Sequence, residues 1–595
     1  MAVVAAPRII VVGGGLAGLS AVIKIAEAGG TVDLFSIVPV KRSHSVCAQG
    51  GINAAKDLKG EGDTVLKHFD DTIYGGDFLA NQTPVKAMTA QGPAIIDLLD
   101  RMGVPFSRTP EGLLDFRRFG GTLYNRTAFA GATTGQQLLY ALDEQVRRYE
   151  SEGKVKKYEG WEFLSAVVDS KGVARGITAL DLRTMELRSF PADAIILATG
   201  GIGAIFGKST NSVVCTGSAQ SAVFQQGVYY ANGELIQVHP TTIPGEDKLR
   251  LMSESARGEG GRVWVPRTPG DKRPVKSIPE AERFYFLEEW YPKYGNLVPR
   301  DIATRAIHKV VYEEGLGIDG QPMVYLDLSH IDRATLDRKL GGILDIYEKF
   351  VGDDPHEVPM KIFPGMHYTM GGIWVDFDQM TNIPGIFAAG ECEYQYHGAN
   401  RLGANSLLSC IYAGFISGPN AMNYARSLPA QEGDGGHAQE LVRQGAINTS
   451  LLNNNGTENP FKLWRELGQT MTEHATVIRY NKGLKQADEK IVELIDRYKN
   501  VNLSDRSQWA NTSFAFARQL RNMLELSRAI VQGAILRDES RGAHYKPDFP
   551  ERNDEKFLKT TKASFTGSAE GPRFEWEEVD TQFIKPRPRR YDVAS

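Results

Sequence analysis

An apolar, β-branched run at residues 8–12 leads directly into a glycine-rich turn, and this pairing strongly constrains the fold. The turn, residues 13–18, reads GGGLAG and matches GxGxxG; a helical segment to about residue 27 and a second strand at 31–36 follow. In such turns the first glycine permits the tight bend, the second lets the backbone approach a pyrophosphate, and the third lets helix and strand pack closely. The unit predicts a dinucleotide site in an α/β fold, against the alternative of a purely structural glycine turn.

The end of the second strand departs from the usual dinucleotide pattern. An NAD site normally has an acidic residue there that binds the ribose. In this chain Ser36 stands at that position, and Asp33 lies within the predicted strand. The departure weakens an NAD interpretation and leaves FAD open.

A run of basic and then small residues follows at 42–51, with the sequence RSHSVCAQGG. Small residues and two glycines let the backbone approach a planar ring, and His44 offers a nucleophilic imidazole nitrogen. His44 is therefore a candidate for cofactor attachment. A histidine in a surface loop is an equally good interpretation of these residues taken alone.

Two further elements, AIILATGG at 194–201 and IFAAGE at 386–391, repeat the form of a buried strand followed by a glycine turn. Their separation predicts an insertion, so we expect an α/β architecture with a Rossmann-like FAD-binding domain at 1–240 and 364–428 and an inserted α+β capping domain at 241–363. Apolar periodicity predicts a C-terminal helical domain at 436–538, after a linker at 429–439. The charged tail at 539–595 contains KPRPRR at 585–590, predicted to be solvated, with docking to a partner subunit as the alternative.

Charge and cysteine content argue against several functional classes. The chain has 595 residues, 42% hydrophobic, with a formal net charge of -4, so no basic field favours nucleic acid, and no nucleic-acid partner is expected. Cys47, Cys215, Cys392 and Cys410 are far apart and form no CxxC pair, so we expect packed, reduced thiols and no metal site.

Residues 1–7 lack the features of a signal peptide, and no apolar run reaches the roughly 18 residues of a membrane span. Membrane attachment is expected only through partners.

Polar residues that a fold alone would not demand recur in the predicted insertion and its flanks. They combine two imidazoles, three guanidinium groups, a carboxylate and a hydroxyl, at His239, Ser253, Glu254, Arg257, Arg300, His367 and Arg401. Arginine binds carboxylates bidentately, and neutral imidazoles add donors without excess charge. The two histidines, two or three of the arginines and the hydroxyl together predict a dicarboxylate clamp, although each alone has an ordinary alternative: a surface arginine, a capping serine or a satisfied core histidine.

Local spacing adds expectations about geometry. Pro299 favours a helix start that leaves Arg300 near the N-terminus and aimed at a ligand. Glu254 and Arg257 are three residues apart, so on a helical turn they share a face, which suits a proton relay or a simple ion pair. A helix starting at Asn405-Ser406 would direct its positive end toward a reduced flavin ring.

These motifs together resemble one enzyme family. RSHSVCAQGG, QVHPT, ESARGEGG, PRD, HYTMGG, AAGE and HGANRLGANSL are similar to the flavoprotein subunit of succinate dehydrogenase and quinol:fumarate reductase, over nearly the whole chain. FSIVPVKRSHSVCAQGG, FRRFGGTLYNRTAFAGATTGQQLLYAL and KLRLMSESARGEGGRVW resemble the bacterial succinate:menaquinone branch more than the mitochondrial one.

The resemblance implies succinate and fumarate as substrates and FAD attached to His44 through an 8α-N linkage. It implies that His239, Ser253, His367 and Arg401 bind the dicarboxylate, and that Arg300 exchanges the proton with help from Glu254 and Arg257. Ser218 stands where some members have an acid that contacts FAD. The glycine pattern and the resemblance together give the other expected FAD contacts as Gly13, Gly14, Gly15, Ala17, Gly18, Ser36, Ser43, Ser45, Ala48, Gln49, Gly50, Gly51, Thr199, Gly200, Glu391, Arg401, Ser406 and Leu407.

The resemblance also implies partners that carry electrons away from the flavin. These are an iron–sulfur subunit and a membrane-anchor subunit, with haem b, that meets quinone, expected to be menaquinone. The chain is then expected on the cytoplasmic face of a bacterial plasma membrane. One alternative is a soluble enzyme like L-aspartate oxidase, with non-covalent FAD, against which His44 in RSHSV argues. The other is a non-catalytic or RNA-modifying FAD-binding protein, for which the clamp would be accidental.

Overall fold

The computed structural model describes residues 6–243, 245, 248–428 and 434–591. In this described part, a five-stranded parallel sheet has the order Ile386–Ala388, Ala194–Leu197, Arg8–Val12, Thr31–Ser36, Val155–Glu159. Successive residues of the first strand alternate between its faces: Ile9 and Val11 belong to one hydrophobic core, and Ile10 and Val12 belong to another. The sheet is therefore buried on both sides, as parallel sheets are. The predicted α/β Rossmann-like fold is confirmed.

One face of this sheet is covered by helices Leu16–Glu27, Thr134–Ser151 and Asn405–Ser427. Helices Val65–Gly75 and Gln82–Arg101 lie beside them. Gly414 brings the long helix against the backbone of the glycine-turn helix, because a Cβ added there would lie 2.4 Å from the carbonyl oxygen of Ala17. This close packing fixes the start of helix Asn405–Ser427 beside the turn at residues 13–18.

The other face is covered by the antiparallel sheet Trp161–Val168, Ala174–Asp181 and Leu187–Pro191. The short helix Ser218–Gln225 also packs there. A smaller sheet has the strands Ile52–Asn53, Thr127–Ala128 and Phe116–Arg117. Arg117 Nε donates to the Gly50 carbonyl oxygen at 3.1 Å, which joins this sheet to the run that contains His44.

The inserted region forms a second sheet and its own core. Its strands follow the order Arg250–Leu251, Ile236–Ile243, Met360–Thr369, Val324–Asp327, Arg262–Pro266 and Arg283–Phe284. Its helices are Ser255–Gly258, Phe286–Trp290, Arg300–His308 and Arg333–Val351, with a π-helical turn at Lys309–Glu313. The predicted boundaries at 240/241 and 363/364 fall inside Ile236–Ile243 and Met360–Thr369, which pair with each other. One of these strands thus carries the chain into the inserted region, and the other carries it back to the FAD-binding domain.

The C-terminal helices are His437–Asn453, Pro460–His474, Asn481–Tyr498 and Thr512–Leu536. Asn459 and Asn511 cap two of them, each accepting hydrogen bonds from backbone N–H groups of the first turn. Residues 429–433 of the predicted linker lie outside the described residues, and the rest of that linker includes the start of helix His437–Asn453. In the described part of the chain, no helix combines the length and apolarity needed to cross a bilayer.

The tail packs against the rest of the molecule. After the short helix Asp554–Phe557, strands Lys559–Ser564 and Arg573–Glu578 form a hairpin that extends the pairing of Tyr230–Ala231 with Gly372–Ile373. The prediction that 585–590 is a solvated patch was wrong for Arg589, whose side chain is 5% exposed. The Nη2 of Arg589 donates to Asp301 Oδ1 at 3.0 Å. The Arg589 side chain is buried because it pairs with this buried carboxylate.

Candidate active site

A cavity of about 550 Å³ lies where the parallel sheet meets the inserted region. It opens at the carboxyl ends of the strands, where ligands of open α/β sheets bind. The structure brings most of the sequence-predicted residues to its walls: Gly13, Gly14, Gly15, Ala17, Ser36, Ser43, His44, Ser45, Ala48, Gln49, Gly50, Gly51, Thr199, Gly200, His239, Ser253, Glu254, Arg300, His367, Glu391, Arg401, Ser406 and Leu407. Ser218 lines the cavity as well.

Gly18 and Arg257 are the predicted residues that do not line this cavity. A Cβ on Gly18 would lie 1.9 Å from the carbonyl oxygen of Gly13, so this glycine permits helix–turn packing. Arg257 lies behind Glu254, to which its Nη2 donates at 2.6 Å. Gly18 therefore affects the cavity through the shape of the turn, and Arg257 affects it through its ion pair with Glu254.

The glycine turn has the geometry of an anion site. Gly13 has φ +117°, and a Cβ there would lie 2.1 Å from the carbonyl oxygen of Ala198. Helix Leu16–Glu27 starts within the turn, directly after Gly15, so its first N–H groups lack intrahelical partners and face the cavity with the positive end of the helix dipole. The Leu16 N–H donates to Ser45 Oγ at 3.2 Å, which ties the turn to the run containing His44.

The wall beside this turn fits a flavin. Ser43 Oγ and Gln49 Oε1 are buried and have no hydrogen-bond partner among the described residues. Gly50 and Gly51 pack tightly against the residues behind the wall. A Cβ on Gly50 would lie 2.5 Å from the Phe119 ring, and a Cβ on Gly51 would lie 2.4 Å from the Ala128 carbonyl oxygen. A planar ring with polar edge atoms would satisfy the orphaned groups and use the space that the glycines leave.

His44 lies in a 3₁₀ helix, His44–Cys47, on the cavity wall. The Ser212 N–H donates to its Nδ1 at 3.1 Å, and its Nε2 is 3.4 Å from Asn211 Nδ2. Burial, and secondarily the charge of Lys248, lower the pKa of His44 to about 4. The imidazole is therefore neutral at physiological pH and keeps the lone pair that a nucleophile requires.

His239 and His367 face each other, with ring centroids 4.9 Å apart. The Thr241 N–H donates to His239 Nδ1 at 3.1 Å, so the neutral ring carries its proton on Nε2, which is buried without a partner. His367 Nδ1 is 2.7 Å from Thr210 Oγ1. Burial, and then the charge of Arg300, hold the pKa of both histidines well below the usual value. The pair thus offers neutral hydrogen-bonding groups.

Arg401 is 2% exposed, and no carboxylate forms an ion pair with it in the described ranges. Its Nη1 donates to the Leu402 carbonyl oxygen at 3.3 Å, its Nε has no partner, and the guanidinium lies 4.2 Å from the centroid of the Tyr368 ring. Burial and the nearby charge of Arg300 lower the pKa of Arg401 to about 9, so the group remains a cation near neutral pH. A buried cation at a cavity wall that no described carboxylate neutralises indicates an anionic ligand.

Arg300, Glu254 and Arg257 form a continuous buried chain of charges. Arg300 Nη2 is 2.9 Å from Glu254 Oε2, and Arg257 Nη2 is 2.6 Å from Glu254 Oε1. Burial alone would raise the pKa of Glu254, but the charges of Arg300 and Arg257 outweigh it and hold that pKa below its usual value. The expectations that Arg300 begins a helix and that Glu254 contacts Arg257 are met, since helix Arg300–His308 follows Pro299.

The remaining predicted contacts lie around these groups. Ser253 Oγ is 2.7 Å from Ser255 Oγ. Glu391 accepts from the Thr369 N–H at 3.2 Å, and burial raises the pKa of Glu391 to about 7. Helix Asn405–Ser427 begins at the cavity, with Ser406 and Leu407 in its first turn.

Gln237 is a residue that the sequence reasoning missed. Its Oε1 accepts from Arg300 Nη1 at 2.9 Å, while its Nε2 donates to the Arg401 carbonyl oxygen at 2.7 Å. It therefore links the two arginines of the clamp. Its position two residues before His239 in one strand was an available signal, because residues i and i+2 of a strand point to the same face.

The described residues include no group of three His, Cys, Asp or Glu side chains arranged to hold a metal ion. The cysteines there are unpaired, with Cys215 and Cys392 buried. Burial raises the pKa of both thiols to about 12, which makes them unreactive at neutral pH.

Two models of known protein families match the chain. Residues 8–407 match the family model described as FAD binding domain, and residues 464–591 match that described as fumarate reductase flavoprotein C-term. The succinate dehydrogenase flavoprotein subunit of Bacillus subtilis is 62% identical over 589 residues, covering 98% of each chain. The chain belongs to the family of succinate dehydrogenase and fumarate reductase flavoprotein subunits. It is thus an FAD-dependent oxidoreductase of this family, as the motifs predicted.

More distant members of the succinate dehydrogenase and fumarate reductase family also match. The fumarate reductase flavoprotein subunit of Escherichia coli is 33% identical, with 98% of this chain and 95% of that protein covered. A solved E. coli quinol fumarate reductase FrdA chain superimposes with a TM-score of 0.91 at 32% identity, covering 99% of this chain and 100% of that one. A quinol-fumarate reductase solved with menaquinol molecules gives 0.89 at 31%, covering 98% and 100%. These results support the main interpretation over the aspartate oxidase and RNA-modification alternatives.

Proposed function

We propose that this chain interconverts succinate and fumarate in the cavity described above, with FAD bound covalently to His44. The observation that carries the proposal is the unpaired, buried Arg401 beside two neutral histidines and Arg300, in the same cavity as His44. Two guanidinium cations, one of them without an ion-pair partner in the described residues, and neutral donors suit a dianionic ligand.

In this proposal the clamp binds the substrate by both carboxylates. Arg401 would pair with one carboxylate, and the Nε2–H of His239 would donate a hydrogen bond. His367 and the Ser253 hydroxyl are further donors on the cavity wall. Because the histidines are neutral, they add hydrogen bonds without repelling the arginines, and the ligand neutralises the cations.

Bound FAD would supply a hydride acceptor for succinate oxidation and a hydride donor for fumarate reduction. In fumarate reduction Arg300 would donate its proton to the neighbouring carbon. In succinate oxidation Arg300 would first pass its own proton to Glu254 and then take the proton from that carbon. A guanidinium holds its proton strongly, so an outward route is needed. Glu254, in contact with both Arg300 and Arg257, supports that route, and burial of all three keeps bulk water from competing for the proton.

His44 is proposed as the covalent anchor because its imidazole is neutral, lies on the cavity wall, and is held by the Ser212 N–H. Attachment at this position would raise the flavin potential, which removal of hydride from an unactivated CH2–CH2 unit requires. The test is acid denaturation followed by gel electrophoresis with fluorescence detection. Flavin fluorescence should migrate with the wild-type polypeptide and be absent from the His44→Ser band; quantitative release from wild type would overturn the covalent assignment.

We further propose that electrons leave through an iron–sulfur subunit and a membrane-anchor subunit with haem b that meets menaquinone. The complex would be held on the cytoplasmic face of a bacterial plasma membrane. Support comes from the family membership and from the related quinol-fumarate reductase solved with menaquinol molecules. Purification from membranes with a tag on this chain should yield iron, acid-labile sulfide and haem; a tagged chain recovered alone from intact membranes would contradict the assembly.

A further inference from the structure

The cavity contains a buried carboxyl group that the proposed reaction does not use. Glu162, in strand Trp161–Val168, is 4% exposed and lines the cavity. Its Oε1 accepts from Gln519 Nε2 at 2.9 Å. Its Oε2 is buried and has no hydrogen-bond partner within the described residues. A buried carboxyl oxygen without a partner is costly, so a ligand group that donates to it would be favoured.

Glu162 lies at the end of the cavity where an adenosine would bind. In dinucleotide folds the adenosine half lies over the carboxyl end of the second strand, which is Ser36 here. The Gly160 N–H donates to the Ser36 carbonyl oxygen at 2.8 Å, and the rings of Phe35 and Trp161 are in edge contact at 6.3 Å. Glu162 therefore stands next to the position where the usual ribose-binding acid is absent.

Helix Thr512–Leu536 of the C-terminal domain contacts residues of the cavity wall. Gln519 and Asn522, both in helix Thr512–Leu536, are three residues apart and so share one face. Gln519 bonds to Glu162, and Asn522 Nδ2 donates to Ser218 Oγ at 2.8 Å. Both Glu162 and Ser218 line the cavity. The helix of the C-terminal domain thus contacts two residues of the cavity wall, of which Glu162 lies at the predicted adenosine end.

We propose that the carboxylate of Glu162 accepts a hydrogen bond from the adenosine half of FAD, and that Gln519 is its positioning residue. The inference rests on the proposed function only in taking FAD as the cofactor. Burial raises the pKa of Glu162 to about 7, while the bond from Gln519 and the charge of Arg518 oppose that rise. A donor from the ligand would favour the charged form further.

The test measures flavin affinity in the full-length chain carrying His44→Ser, so that flavin can be removed and added back. FAD and FMN are titrated into the apoprotein by calorimetry; FMN has the flavin ring and one phosphate but no adenosine. Glu162→Gln should weaken FAD binding by about tenfold or more, as loss of a charged hydrogen bond does, and leave FMN binding unchanged. Glu186→Gln, an exposed acid paired with Arg188, is the matched control and should change neither.

Unchanged FAD affinity in Glu162→Gln would overturn the inference, and so would equal weakening of FAD and FMN, which indicates general damage. Gln519→Leu leaves the carboxyl group in place and removes its support, so it should weaken FAD binding with FMN again unaffected. If it does not, the positioning role is wrong. Neither readout uses succinate or covalent attachment, so failure here is distinguishable from failure of the proposed function.

Discussion

Arg300 and Glu254 form a buried ion pair, Nη2 to Oε2 at 2.9 Å, with side chains 5% and 1% exposed. Such a pair places the residue that we propose transfers the proton in direct contact with the residue that we propose as its relay. Because Arg257 contacts the other carboxylate oxygen, Glu254 is shared by two cations. We therefore expect the reaction to depend on the negative charge of the Glu254 carboxylate rather than on the size of its side chain.

Glu254→Gln tests that requirement. The amide keeps the side-chain size and a hydrogen-bond acceptor but cannot carry the proton, so we expect kcat for succinate-dependent dye reduction to fall about 100-fold with flavin content unchanged. Glu282→Gln, an exposed acid of the inserted region paired with Arg273, should retain full activity. Wild-type kcat in Glu254→Gln would remove this residue from the proton route.

Gln237→Glu should disturb the two arginines of the clamp together. A carboxylate at this position would compete with the substrate for Arg300 and for the positive charge near Arg401. We expect KM for succinate to rise about tenfold or more and kcat to fall. Steady-state kinetics checks this, with Gln532→Glu on the C-terminal helix as the control; an unchanged KM would show that Gln237 does not position the clamp.

Buried neutral histidines should make the fold sensitive to acid. Burial, and then Arg126, lower the pKa of His68 to about 3, whereas the unfolded chain binds its proton near pH 6.5. Stability is therefore retained above pH 6.5 and lost as pH falls toward the folded pKa, with His68 alone costing about 2 kcal/mol at pH 5. His68→Gln should flatten the fall in melting temperature between pH 6.5 and pH 5; a fall as steep as in wild type would contradict this account.

The buried pair of Arg589 and Asp301 predicts a stabilising role for the end of the chain. Arg589→Met would leave the buried Asp301 with Arg305 as its remaining ion-pair partner, at 3.4 Å, at an expected cost of up to about 3 kcal/mol. The melting temperature should fall and kcat should drop with it. Arg590→Met, at the exposed neighbouring position, should change neither. Equal melting temperatures for both variants would show that the tail does not stabilise the inserted region.

Local patterns predicted the parts of the fold that depend on neighbouring residues. The strand bounds at Arg8–Val12 and Thr31–Ser36 follow from β-branched runs limited by glycine, and Arg300 begins its helix because Pro299 precedes it. The site itself was predicted by combining distant motifs through the family resemblance. Spacing alone did not indicate which of them would share a cavity.

What sequence did not predict depends on long-range contacts. Gln237 and Arg300 are 63 residues apart, and Arg589 and Asp301 are 288 apart. Composition suggested that a stretch rich in arginine and proline would be solvated, yet one of its arginines is buried because a distant carboxylate is already buried. Burial of a charge is decided by its partner, and one sequence does not identify the partner.

The most direct test of the central claim is succinate-dependent dye reduction by the flavin-loaded protein carrying Arg300→Lys. Lysine keeps the positive charge but not the planar fork that contacts Glu254 and Gln237. We expect kcat to fall at least about 1,000-fold while flavin content and dicarboxylate binding persist. Activity close to that of wild type in this variant would contradict the assignment of Arg300 as the proton-transfer residue.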